Sequence, residues 1–175
     1  MAEKLKFSKV EIPLLNESVE VLAQTPKEAE GRTMKLDLTR YLKGKGVEAV
    51  FKLNAVGEKI VAKIIRLHVF GFYIRRMMRK NIDYVEDSFK AESKNALMII
   101  KPFLITRKKV HRSLKKALRE KAKAEIQEYL KDKDAGQIFE DLLTGKLQKQ
   151  LSLKLKKIYP LTFCDIRDIS VKKFH

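Results

Sequence analysis

The chain has 175 residues, 45% of them hydrophobic, enough for a packed core and too many for a disordered basic tail. Its 39 Lys and Arg against 22 Asp and Glu leave a formal charge of +17, which points to a polyanionic partner. No run nears the length of a membrane-spanning helix, and Met1-Ala2-Glu3-Lys4-Leu5-Lys6 leads into no apolar signal segment, so neither is expected.

Residues 1–30 are weakly patterned. Val10/Ile12 and Val19/Val21 alternate as short strands would, with Pro13 and Pro26 pushing their flanks to an edge or loop. From Gly31, Met34, Leu36 and Leu38 alternate with Lys35, Asp37 and Thr39. Gly44 and Gly46 mark a turn. Val47, Ala49, Phe51, Leu53 and Ala55 then alternate with Glu48, Lys52 and Asn54. Gly57-Glu58-Lys59 reads as another turn, and 60–70 as a strand whose odd members (Val61, Ile65, Leu67, Val69) share a face. Together these predict a meander of antiparallel strands.

Gly71 breaks the period. A short helix is expected over 72–82, with Ile74, Met77 and Met78 inward as core filling and Arg75, Arg76, Arg79 and Lys80 around them. No acid follows until Asp83. Two strands come next, near 84–91 and 96–106, joined by Ser93-Lys94-Asn95; Pro102 marks an edge position or a bulge.

Arg107 to Lys123 is the densest stretch, with nine Lys/Arg and one acid, Glu120. Val110, Leu114, Ala117, Leu118, Ala122, Ile126, Tyr129 and Leu130 recur at steps of three and four, one apolar stripe of a helix running to about Lys131. Asp132 to Gly136 ends it, and Asp134 is placed to cap the next helix. That helix carries Ile138, Phe139, Leu142 and Leu143 and stops at Thr144-Gly145. Leu147, Leu151, Leu155 and Ile158 line another, ended by Tyr159-Pro160, with Lys146, Lys149, Lys154, Lys156 and Lys157 on its other faces. A strand over 161–171 and a basic end, Lys172-Lys173, follow. The expected organisation is a single domain: a mainly β part over 1–106 with the helix at 72–82, a helical part over 107–158, and a last strand at 161–171.

Like charges three and four apart on a helix repel by a few tenths of a kcal/mol per pair, so the cations of 107–123 call for outside compensation. Nucleic acid ranks first, because each phosphate neutralised releases condensed counterions. A solvated lysine-rich face, as heat or salt adaptation produces, ranks second. A membrane surface ranks last, because the stripe is small around Ala117 and Ala122 and carries no Trp or Phe.

Catalytic patterns are missing. There is no Gly-rich phosphate loop, no Gly-x-Ser-x-Gly elbow and no His-Glu-x-x-His. Glu86/Asp87 and Asp165/Asp168 alternate with apolar residues as solvent-facing strand positions would. The single Cys164 excludes an internal disulfide, suits a reducing cytosol and reads as a small buried hydrophobe. His68, His111 and His175 are too far apart in sequence to suggest zinc. No enzyme, cofactor, metal or small-molecule substrate is expected.

Several stretches, taken in order, carry a resemblance. Thr144-Gly145-Lys146-Leu147 precedes a helix ending in Lys156-Lys157-Ile158-Tyr159-Pro160-Leu161. Ile166-Arg167-Asp168-Ile169-Ser170-Val171 comes next. Tyr73-Ile74-Arg75 followed by Met77, Met78, Arg79 and Lys80, and the run from Leu104 to Arg119, lie upstream. From about Gly31 to Phe174 the chain resembles the archaeal and eukaryotic small-subunit ribosomal proteins called S-three-A-e (or e-S-one), and most of all the archaeal form. It departs from them in having no Trp and no basic, aromatic extension before the first strand. It also enters the helix near 72 through Val69-Phe70-Gly71-Phe72 where the family has Leu-Thr-Arg.

The resemblance implies an α+β fold with an antiparallel β-barrel-like core, one inserted short helix, and C-terminal helices followed by a final strand. It implies a cytoplasmic, non-enzymatic constituent of the small ribosomal subunit. The expected place is the platform, near the messenger exit and the 3′ end of the small-subunit ribosomal RNA, beside other platform proteins. The residues expected to grip RNA are Arg75, Arg76, Arg79 and Lys80, then Arg107, Lys108, Lys109, His111, Arg112, Lys115, Lys116 and Arg119, with Lys149, Lys156 and Lys157 as a third surface. A free-standing, sequence-tolerant nucleic-acid or chromatin protein is the alternative. A helical scaffold docking through Leu142/Leu143 is a third.

Overall fold

The computed structural model describes residues 7–15, 17–23, 25–57 and 59–174. Glu58 of the expected turn, His175 and the first six residues lie outside them. The contacts gather into two compact units, residues 1–36 with 49–65, and residues 37–48 with 66–175.

In the first unit, β1 (Phe7–Ile12) and β2 (Glu17–Leu22) form an antiparallel hairpin in which Val10 lies opposite Val19. Both strands had been legible from their short alternation. Pro26 opens a single turn of helix, α1 (Pro26–Ala29), where its missing N–H costs nothing and the Thr25 hydroxyl accepts the Glu28 N–H. β3 (Thr33–Asp37) pairs with β4 (Val47–Val56), and β4 also pairs with β5 (Lys59–Val69). β1 runs parallel to β5, with Val10 beside Ile60. The core of this unit is Val10, Ile12, Ala49, Phe51, Leu53, Ile60, Ala62 and Ile64.

β5 corrects one expectation. Its buried residues are Ile60, Ala62 and Ile64, then Leu67 and Val69, so the inward phase slips by one between Ile64 and Leu67. The odd-numbered face holds only for the second half.

The second unit is built on a long antiparallel pair, β8 (Ala96–Thr106) with β9 (Leu161–Phe174). β9 is also antiparallel to the end of β5, where Leu67 meets Ile169. β6 (Tyr84–Glu86) and β7 (Phe89–Glu92) share the outer edge of β8. The sequence pattern predicts one strand over 84–91, but the Ser88 N–H bonds the Asp87 carboxylate and the chain leaves the ladder there. Pro102 falls between the residues that pair with β7 and those that pair with β6, beside a register shift against β9. A residue without an N–H is tolerated at such a gap. It is the bulge and not the edge.

The α+β class, the inserted helix, the C-terminal helices and the last strand are all present. The antiparallel, barrel-like expectation changes in two respects: β1 and β5 are parallel, making the pairing mixed, and among the described residues the strands do not close into a barrel, since β2, β3, β6 and β7 each pair on one side only.

The inserted helix α2 (Gly71–Met77) is shorter than 72–82. Met78 is already extended and Asn81 is left-handed (φ 63°), because Asp83 must reach Thr106 to start the β6 pairing. The long helix α3 (Arg112–Lys131) buries Leu118, Ala122, Ile126 and Leu130, the stripe seen in the sequence. It starts five residues after Arg107, since the backbone of 107–111 is committed to a different set of bonds. Asp134 caps α4 (Ala135–Leu143) in a capping box with Gln137. Gly145, left-handed at φ 75°, turns the chain into α5 (Lys146–Leu155). α5 ends before 158 because the Ile158 and Tyr159 N–H groups both close on the Leu155 carbonyl. β9 continues through Lys172-Lys173 to Phe174, beyond the expected end at 171.

Truncating Leu118 to Ala should cost about 2–5 kcal/mol in denaturant unfolding, because it opens a cavity under the middle of α3. Lys116→Ala, on the opposite side of the same helix, should change stability by less than about 0.5 kcal/mol.

Candidate nucleic-acid interface

Two of the three cationic stretches are joined by one carboxylate. The Thr106 N–H donates to the Asp83 carbonyl at 2.9 Å, and the Asp83 N–H donates to the Thr106 hydroxyl at 3.2 Å. The Thr106 hydroxyl can in turn donate to the carbonyl of Asp83 (2.9 Å) or of Lys108 (2.8 Å). The Asp83 carboxylate accepts the Val110 N–H at 2.9 Å and lies 3.0 Å from the Lys115 ammonium. Those two donors hold its pKa below the usual carboxylate range, the backbone bond contributing most. The tail of α2, with Arg79 and Lys80, therefore ends where the extended 107–111 segment begins.

Within this junction the expected RNA contacts differ in how free they are. Lys115 has Asp83 as a partner. Lys116 sits 3.9 Å from Glu120 in a solvent-exposed pair, an interaction worth little. Arg107, Lys108, Lys109, His111, Arg112 and Arg119 are exposed and form no ion pair with a carboxylate among the described residues, although the Lys109 charge acts on Asp83 and helps to lower its pKa. His111 precedes α3 without a side-chain capping bond. On α2, Arg75 and Arg76 are exposed, and the Arg76 guanidinium lies 5.3 Å from the centre of the Tyr73 ring.

The third stretch stands apart. Glu125 ties α5 to α3 by pairing with Lys154 and, at 2.9 Å, with Lys121, and these cations lower its pKa. Lys149 on α5, and Lys156 and Lys157 in the turn after it, remain exposed. No hydrogen bond or ion pair among the described residues joins them to 107–119.

The acids of β9 are a correction. Asp165 and Asp168 are each only 5% exposed, not solvent-facing, because β9 lies between β8 and β5 and is covered by α5 as well. Asp168 receives a two-pronged bond from Arg66 (2.8 and 3.0 Å) and lies 3.4 Å from the Lys101 ammonium. Burial pushes its carboxyl up, but Arg66 and Lys101 outweigh burial and hold it below the ordinary range. Asp165 pairs with Lys45 at 2.6 Å and accepts from Gln148 and its neighbour's N–H. Beside it, burial and the Asp165 charge push the Cys164 thiol up to about 12. Asp83, Arg66, Lys45 and Lys101 had no signal as a group in the sequence, since their roles exist only through strand pairing. Asp83 alone left a trace, as the first acid after four cations.

Comparison with known proteins gives a family. Small ribosomal subunit protein eS1 of Nanoarchaeum equitans is 27% identical over 85% of this chain and 77% of its own. The eS1 proteins of Methanothermobacter thermautotrophicus (26%, 74% and 68%) and Pyrobaculum islandicum (28%, 89% and 72%) are comparable. The class of protein at hand is thus ribosomal. More narrowly, the chain belongs to the Ribosomal S3Ae family, whose model matches residues 7–174.

Two outcomes test the electrostatics. Because the folded pKa of Asp168 lies below its unfolded value, its charge stabilises the fold above about pH 4 and that contribution is lost as pH falls through the folded pKa. Asp168→Asn should therefore be destabilised at neutral pH, and the gap to the parent should narrow in denaturation series taken down into acid. In the native protein Cys164 should resist iodoacetamide at pH 8 and react readily once unfolded, since the thiolate is the nucleophile.

Proposed function

We propose that this chain is a structural constituent of the small ribosomal subunit, in the cytoplasm, and that it holds small-subunit ribosomal RNA by its phosphates. Arg107, Lys108, Lys109, Arg112 and Arg119 do most of this, with His111, Lys115, Lys116, Arg75, Arg76, Arg79 and Lys80 beside them. Lys149, Lys156 and Lys157 add a separate surface. The observation that carries the reading is the 107–119 segment: Arg107, Lys108, Arg112 and Arg119 without an ion-pair partner among the described residues, on a backbone pinned by Thr106 and Asp83. A fixed row of cations meets a phosphate backbone with little ordering cost, and folded RNA is recognised mainly by shape and backbone. Kinship with the archaeal eS1 proteins supports the small subunit as the site of action. The family resemblance supports the platform, near the messenger exit and the RNA 3′ end, with other platform proteins as neighbours.

The variant Arg107→Ala/Arg112→Ala/Arg119→Ala should bind small-subunit RNA fragments more weakly. Its log–log salt slope should shrink by about 2 to 3, roughly one per lost phosphate contact, with the thermal unfolding curve unchanged. Equal affinity and slope would mean a merely solvated face. Sedimentation of the native protein with DNA in place of small subunits would favour the chromatin alternative.

A further inference from the structure

Phe72 is a large aromatic side chain left 54% exposed in the first turn of α2. One exposed Phe is commonplace on a protein surface. This one is fixed in place. Its ring is stacked on Phe70, with centroids 5.4 Å apart and planes inclined by 21°. Its far edge lies against Gly46, where a Cβ would come within 2.7 Å of the ring's Cζ. Gly46 is buried, and its carbonyl accepts the Phe70 N–H at 2.9 Å, so the floor under both rings is backbone.

The surroundings are cationic. The Arg75 guanidinium turns back over Gly71, where a Cβ would sit 3.3 Å from its Nη1. Arg76 is held over Tyr73, and Arg79 and Lys80 follow in the chain. No carboxylate pairs with any of the four among the described residues. An apolar protein knob seated on Phe72 would have to desolvate these charges without compensation. A nucleobase presents a flat face to the ring and a phosphate to the arginines together.

We propose that Phe72, backed by Phe70 and flanked by Arg75 and Arg76, is a stacking platform for an unpaired RNA base. The proposal rests on the RNA-binding reading above and adds to it a contact that duplex RNA cannot make, since paired bases hide their faces in the stack.

The test uses a short oligoadenylate, alone and in a duplex with oligouridine. Phe72→Ala should lose about fivefold or more in affinity for the single strand, with the duplex affinity and the salt slope unchanged. Phe72→Trp gives the chain its one tryptophan and should keep the single-strand affinity. Its fluorescence should be quenched by the single strand and not by the duplex. Equal losses on both forms, or no loss on either, would overturn the platform. The Arg107/Arg112/Arg119 variant, run alongside, separates the two ideas. If it weakens both forms while Phe72→Ala weakens neither, the platform falls and the phosphate grip stands; if neither variant changes binding, both fall.

Discussion

The β8–β9 ladder is the constraint on which the second unit depends. It runs from Ala96 opposite Phe174 to Thr106 opposite Leu161, through three register shifts. On the outer edge of β8 it carries β6 and β7, and β9 is packed by α5. Thr106, the last residue of β8, is fully buried and bonds both Asp83 and Lys108. The cationic segment thus leaves a rigid point of the sheet, and the placement of its first charges follows from strand register.

Much of this was legible because it is periodic. The three-and-four spacing of Leu118, Ala122, Ile126 and Leu130 survives intact as the buried side of α3, and Asp134 caps α4 as its chemistry suggested. What failed was what depends on non-local pairing. Asp165 and Asp168 alternate with apolar residues in the sequence, yet a strand flanked by β8 and β5 and packed by α5 buries both, and cations from elsewhere in the chain, Lys45, Arg66 and Lys101, make that tolerable. The shortening of α2 has the same origin, for nothing local announces that Asp83 must join Thr106.

The candidate surface was legible in composition and less so in detail. Counting cations identified 107–123 but could not separate those with a carboxylate at hand from those without. The fold makes that separation: Lys115 is occupied by Asp83 and Lys121 by Glu125, while Arg107, Arg112 and Arg119 face solvent. Asp83, distant in sequence, and Glu125, one helical turn from Lys121, thereby order the scaffold and leave the arginines uncommitted.

The one-residue slip in β5 bears on which length changes the chain can absorb. Upstream of it Ile60, Ala62 and Ile64 face inward; downstream Leu67 and Val69 do, and Arg66 is turned to reach Asp168. Insertion or deletion of a single residue between Ile64 and Leu67 would exchange the dry and wet sides of one half of the strand while sparing the other. Ile64 and Leu67 thus have their spacing dictated from both directions.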